Sequence, residues 1–187
     1  MGKIVEKKLP AICMQCPLRV TNDNPHCKNI GNPFGKAFIV FPQLQKSDKG
    51  VLSNNIGVKS ITEIYSNTFR RNIEDDYLIT SLIRCAPYED GFNQAVTRCC
   101  FTLLYRGIKM YEPRFMILLG NAGARLIGQN PSKDDIVYYY NGIYYFLNYN
   151  PLSLLYDNTK LLFRVKLIKC LNAIDNNNLE GFKLITL

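Results

Sequence analysis

The sequence predicts an α/β protein: a three-layer α/β/α sandwich around a mostly parallel four-stranded sheet. Three observations predict it. Short continuous apolar runs at 37–41 (AFIVF), 77–83 (YLITSLI) and 114–119 (RFMILL) read as strands buried on both faces. Segments with helical spacing lie between them, and strands alternating with helices pair in parallel through crossovers. A further pair of apolar stretches flanks Asn141-Gly142, the strongest short hairpin signal.

Taken in order, residues 10–34 are rich in Pro, Asn and Cys, lack clean periodicity and read as loop. The run at 37–41 enters Pro42, which fits a buried strand ending at a loop. Residues 42–57 carry Gly50, Asn54, Asn55 and Gly57 and read as loop. Ile61, Ile64, Tyr65 and Phe69 recur at helical spacing, with Ser60 as N-cap and Glu63 three residues on as a capping box. After the strand at 77–83 and a loop at 86–92, residues 93–111 read as a helix. The strand at 114–119 passes through Gly120 into a helix over 122–127. The hairpin pairs 137–140 with 143–147. A last helix over 158–174 places Leu161, Val165, Ile168, Leu171 and Ile174 on one face, and Asn176 to Asn178 form a turn. There is no internal repeat and no linker, so residues 1–187 read as a single domain.

Composition narrows the function classes. Apolar residues make up 47% and charged residues 20%, ordinary for a globular protein. No apolar run approaches the roughly 20 residues that span a bilayer, and the first 16 residues lack a signal-peptide core. The expectation is a cytoplasmic protein with no membrane partner. Met1-Gly2-Lys3 is followed by Glu6 where myristoylation needs Ser or Thr. The net charge of +8, from 23 basic and 15 acidic residues, fits either a solvated basic surface or a polyanion partner, most often nucleic acid. Abundant Asn and Tyr with no Trp suggest an AT-rich genome.

Seven cysteines, an odd number without an export signal, argue against a disulfide framework and leave thiols that are free, catalytic or metal-bound. Cys13 and Cys16 form a CxxC pair that suits chelation. A redox dithiol shares that spacing but belongs at a strand-to-helix junction; this pair precedes the first strand in a Pro-rich loop. Cys85 ends a strand, and Cys99 and Cys100 lie on the next helix. Spacing leaves those two tied, and it leaves Zn2+ and an iron–sulfur cluster open, since both accept four thiolates. Cys170 reads as a small buried hydrophobe. Cys27 stays open between a ligand, which the neighbouring His26 suggests, and a loop residue, the preferred reading.

The chain resembles the family-4 uracil-DNA glycosylases, the iron–sulfur branch of the uracil-DNA glycosylase superfamily. The stretches that carry the resemblance are CMQC at 13–16, YLITSLIRC at 77–85, Cys100 placed 13 residues before Pro113, PRFMILLGNAGARLIG at 113–128 and NYNPLSLL at 148–155. Their order and spacing hold over about 140 residues. The resemblance implies a uracil-DNA glycosylase-like fold and a [4Fe–4S] cluster on Cys13, Cys16, Cys85 and Cys100. It also implies DNA gripped through loop backbone amides and helix N-termini, with Gly120-Asn121 and Asn150-Pro151-Leu152 at such junctions. Tyr138, Tyr139, Tyr140, Tyr144 and Tyr145 flank the hairpin and either stack on bases or pack the sheet.

The pocket departs from the family pattern. With Pro42 on the family Pro, Val40 and Phe41 stand where the superfamily carries its water-handling polar residues. The family's stacking aromatic falls near Ser53. Ser81 replaces the Asn that reads the uracil edge, and Asn150 replaces the His of the last motif. Glycosidic cleavage needs an extruded base, donors on its edge, a positioned water and stabilisation of the leaving anion. Phe41, Pro42, Gln43, Ser81 and Asn150 thus form a degenerate pocket, with Gln43, Gln45 and Asp48 as the nearby polar substitutes. The expectation is an iron–sulfur protein, cellular or virus-encoded, that binds DNA with lost or altered base excision. It would act in replication, repair or host–virus conflict, with a replication or repair protein as partner. The alternatives are an active glycosylase for uracil or a modified base, and a zinc-bound interaction module. An open pocket with convergent donors around Pro42, Ser81 and Asn150 would favour the enzyme; a pocket plugged by Phe41 would favour binding alone.

Overall fold

A computed structural model describes residues 9–20, 22, 25–86, 94–152 and 157–187. Its strands are β1 (Ile30–Gly31), β2 (Ala37–Gln43), β3 (Tyr77–Ile83), β4 (Phe115–Leu119), β5 (Ile136–Tyr140), β6 (Ile143–Asn148) and β7 (Lys183–Thr186). They form one mixed sheet in the order β1-β3-β2-β4-β6-β5-β7. The four neighbours β3, β2, β4 and β6 are mutually parallel. β1 runs antiparallel to β3, β5 antiparallel to β6, and β7 parallel to β5. The expected four-stranded sheet is therefore corrected to seven strands. β1 has only two residues and β7 is mostly exposed, so neither writes an apolar pattern.

The helices are α1 (Ile56–Phe69), α2 (Ile73–Asp76), α3 (Gln94–Tyr111), α4 (Ala122–Ile127) and α5 (Asp157–Asp175). Side chains alternate across a strand. Ile39, Phe41, Ile79, Ile117 and Phe146 pack on one face with Ile61 and Tyr65 of α1 and Phe163 and Leu167 of α5. Phe38, Val40, Leu78, Leu82, Met116 and Leu118 pack on the other with Leu104 of α3 and Ala122 of α4. Every residue of β3 and β4 is buried, as strands covered on both faces require.

Three local expectations change. β2 continues through Pro42 instead of ending there; its pairing with β4 stops at Val40, so Pro42 removes no ladder bond on that side. α1 starts before Ser60. Asn55 is its N-cap, and Oδ1 of Asn55 accepts from Gly57 N at 2.9 Å and Val58 N at 3.3 Å. The buried stripe of α5 is Phe163, Leu167, Cys170, Leu171 and Ile174, while Leu161 is 70% and Val165 54% exposed. That helix is apolar on more than one side, and two stripes sharing Leu171 and Ile174 match a 3.6-residue period.

The hairpin turns on Asn141 and Gly142, both with positive φ (49° and 82°), as a type I′ turn demands. Asn177 also has positive φ in the expected C-terminal turn. At the amino ends of β2 and β3, Asp175 and Asp76 gather Lys36, Arg71, Tyr65 and Tyr77. Lys36 Nζ lies 3.0 Å from Asp175 and 3.4 Å from Asp76, and Arg71 reaches both carboxylates. The hydroxyls of Tyr65 and Tyr77 donate to Asp76 (2.6 Å) and Asp175 (2.9 Å). This network binds α1, α2 and α5 to the sheet. Among the described residues no helix is long and apolar enough to cross a membrane. The expectations for Met1-Gly2-Lys3 and Glu6, the loop residues 87–92, helix residue 93 and the end of the NPLSLL stretch (153–155) lie outside the described residues.

Candidate functional site

The N-terminal segment is laid antiparallel along β3 and its continuation. Gly31 pairs with Leu78 and Ile30 with Ile79. Beyond them Thr80 Oγ1 donates to Asn29 Oδ1 (2.8 Å), Cys27 N donates to Arg84 O (2.8 Å), and His26 N donates to Cys85 Sγ (3.2 Å). Asn22 closes the row, accepting from Ala86 N and donating to Ala86 O, both at 3.1 Å. Gly31 permits the close approach: its φ is +87°, and a Cβ there would stand 2.2 Å from Tyr77 O. Two 3-10 turns, Ala11–Gln15 and Pro17–Arg19, then carry Cys13 and Cys16 back against α3.

One small pocket is lined by Cys13, Cys16, Cys85, Cys99 and Cys100, with Arg19, Pro25, His26 and Arg84. The CxxC pair, Cys85 and the α3 cysteines thus meet. Burial, and then the Cys85, Cys16 and Cys99 thiols, push Cys13 up to about 11. Burial pushes Cys100 up to about 12, with Cys85, Cys16 and Cys13 adding to it against a hydrogen bond from the Arg84 backbone. Burial and a hydrogen bond with Cys16 raise Cys99. Cys99 therefore neighbours Cys13 and Cys16, while Cys100 neighbours Cys13, Cys16 and Cys85. Cys27 and Cys170 lie apart in the apolar core.

Nothing in the cysteine spacing marks Arg84, yet it shapes the pocket. Its guanidinium is buried, donates to Thr80 Oγ1 (3.1 Å) and Cys27 O (3.4 Å), and leaves Nε without a hydrogen-bond partner. No ion pair with a carboxylate is formed by it among the described residues. A buried cation with no anion is costly. Thiolates supply that anion, and crowded thiols ionise only when a metal offsets their mutual repulsion. The donor set fits an anionic thiolate–metal group. Among the described residues, no three Cys, His, Asp or Glu side chains are placed to hold a single metal ion.

The second site is a cavity of about 140 Å³ at the carboxyl ends of the parallel strands. β2 is flanked by β3 on one side and β4 on the other, so the connections leave it in opposite directions. Ligands of open α/β sheets bind at such a switch point. Its walls are Phe41, Pro42 and Gln43 from β2, Gln45 and Asn55 from the next loop, Asn121 after β4, and Asn150, Pro151 and Leu152 after β6. Five carboxamides line it, and among the described residues no ionisable side chain does.

Each wall has a local cause. Gly57, in the first turn of α1, leaves room for Pro151 and Phe41: a Cβ there would meet Pro151 Cβ at 2.5 Å and Phe41 Cε1 at 3.0 Å. Gly120 takes φ +56°, donates its N–H to Asn148 O (2.9 Å) and lies under Asn150. Asn148, fully buried, donates Nδ2 to Phe163 O and fixes the end of β6 to α5. Asn150 Oδ1 accepts from Leu152 N (3.1 Å).

The structure brings Phe41, Pro42, Gln43, Asn121, Asn150 and Pro151 together around this cavity, with Gly120 beneath. Ser81 is not in the wall. It is fully buried and donates to Ile83 O at 2.7 Å. Asp48 is buried and committed: Oδ2 accepts from Gln45 N and Asn55 Nδ2, both at 2.8 Å. Phe41 backs the cavity with its ring in the core and does not plug it. In the hairpin, Tyr138 and Tyr145 are core residues, Tyr144 packs against the opposite core, and Tyr140 is 41% exposed. No protein-family model matches the chain, and no curated protein matches it in sequence.

Proposed function

We propose that this chain is a DNA-binding, uracil-DNA glycosylase-like protein with a [4Fe–4S] cluster on Cys13, Cys16, Cys85 and Cys100. Its base-excision chemistry is lost or altered, and it acts in DNA replication, repair or host–virus conflict. One observation carries the reading: the cavity at the strand switch point is walled by two of the segments that the family resemblance makes its base pocket, Phe41 to Gln43 and Asn150, yet among the described residues none of its lining side chains is ionisable. The parallel order β3-β2-β4-β6, with helices on both faces, supports a glycosylase-like architecture.

A cavity near 140 Å³ matches the roughly 150 Å³ in which an engineered protein site takes up benzene. A single-ring base therefore fits it. Hydrolysis asks for more. Asn150 can donate to a leaving anion but brings no charge, and Asp48 is tied into the loop instead of facing a nucleophile. Removing one such stabilising donor typically costs 10²–10³ in rate.

A cluster is favoured over Zn2+ because each of its cysteines binds a different corner of the cube. Zinc needs four ligands about 2.3 Å from a single centre. The cluster would tie the N-terminal segment to β3 and α3, a structural role. Cys100 is favoured over Cys99 because it also neighbours Cys85.

Incubation with uracil-containing single- and double-stranded DNA, followed by alkaline cleavage, tests the reading. Retarded DNA without strand breaks is expected. Breaks at uracil would establish the active-glycosylase alternative instead. Purified protein should be brown, with absorbance near 400 nm; a colourless zinc protein would remove the cluster.

A further inference from the structure

We propose that Gln43 reads the edge of a single-ring base in the cavity, selecting pyrimidines as a class without separating uracil from cytosine. The inference rests on the DNA-binding reading above and goes beyond it in naming the recognising residue and what it recognises.

Three of the five cavity amides are already committed. Asn55 Oδ1 caps α1 and its Nδ2 donates to Asp48. Gln45 accepts from the backbone of Asp48 in a capping box. Asn150 Oδ1 holds Leu152 N. Gln43 differs: its Oε1 is buried, and no donor reaches it. A buried acceptor without a donor is unfavourable. Nothing anchors that oxygen, and the terminal torsion of Gln is soft and two-fold. A half-turn exchanges Oε1 for Nε2, and with no donor to hold the oxygen the amide can swing out of its buried place and turn both atoms to the cavity.

A carboxamide offers one acceptor beside one donor. Uracil presents a carbonyl oxygen beside the N3–H, and cytosine presents the N4 amino group beside a bare N3. Both edges pair with an amide, in opposite orientations. Because the Gln43 amide turns, both are satisfied equally. A purine, with two fused rings, exceeds the cavity. The amide comes from β2, where Gln43 lies across the β2–β3 ladder from Ile83, two residues beyond the Phe41–Ser81 pair, so the reading group has moved to the neighbouring strand.

The test uses short single-stranded oligonucleotides with one variable central residue: deoxyuridine, deoxycytidine, deoxyadenosine, N3-methyldeoxyuridine or an abasic analogue. Affinities are read by fluorescence anisotropy on the full chain. The expected order is deoxyuridine equal to deoxycytidine, both about tenfold tighter than the other three, the size of a good paired edge contact. Gln43→Met, of similar shape, should bring all five oligonucleotides to one common affinity. The wild-type comparison with the N3-methyl probe needs no variant and stands if Gln43→Met misfolds. Equal wild-type binding of all five oligonucleotides would overturn the Gln43 inference and leave DNA binding intact. Preference for uracil alone, or discrimination surviving in Gln43→Met, would also overturn it. Absence of binding to any oligonucleotide would overturn the DNA-binding reading with it.

Discussion

The cysteine pocket and the amide cavity sit at the same edge of one sheet but answer opposite electrostatic problems. The first crowds five thiols round a buried guanidinium that has no carboxylate partner among the described residues. The second is walled, among the described residues, by neutral groups alone. Charge is concentrated where a metal group would neutralise it and withheld where a neutral heterocycle would lie. The difference teaches that one scaffold can separate what holds it together from what it recognises. Each region also contains one of the two buried side-chain atoms without a partner among the described residues, Arg84 Nε and Gln43 Oε1.

The separation can be broken from either side. The largest effect is expected from Cys85→Ser. Bound iron should fall from about four atoms per chain to a small fraction, with loss of absorbance near 400 nm and a lower melting temperature. If the two regions are independent, pyrimidine preference among the molecules still folded should change by less than about twofold. Arg84→Met should show opposite signs in the two metal states. The metal-free chain should gain about 1–3 kcal/mol on losing an unpaired buried cation, and the loaded chain should become less stable. Calorimetry before and after chelation reads both. A gain in both states would mean that Arg84 does not balance the thiolates.

Gly57→Ala attacks the cavity from the other side. Its Cβ would collide with Pro151, so a loss of about 1–3 kcal/mol and weaker oligonucleotide binding are expected, with iron content unchanged. The smallest effect is shared by both regions. Burial works against ionisation of Asp76, but the Tyr65 hydroxyl, Lys36 and Arg71 hold its carboxyl below the usual range. Its folded value lies below its unfolded one, so it stabilises above about pH 4 and that contribution fades as pH falls further. Urea titrations from pH 5 to pH 2.5 should show the loss. It should be smaller in Asp76→Asn, where nothing titrates at that position.

Much of the fold is legible along the chain because its central strands are buried on both faces and leave continuous apolar runs. Tyr77–Ile83 and the Asn141-Gly142 turn are clear for that reason and for turn chemistry. β1, β7 and the exposed side of α5 are set by pairing and by neighbours, which leave no periodic trace. Meeting of the cysteines is foreshadowed by CxxC and the strand-end Cys85. Spacing cannot show which of Cys99 and Cys100 faces Cys85, nor that Arg84 turns into the same pocket. The cavity residues Phe41, Gln43 and Asn150 are found only through the family pattern. The burial of Ser81 depends on a hydrogen bond to Ile83 that no sequence rule announces.

The antiparallel course of residues 25–31 beside β3 has a consequence for solubility. It covers the outer edge of YLITSLI, seven residues with no charge and no proline. Uncovered, such a strand is a template for another chain. A molecule without the proposed cluster, its N-terminal segment peeled away, would lose its edge guard. It would then tend to stack with its own kind, so metal supply during synthesis would govern how much of the protein stays dispersed.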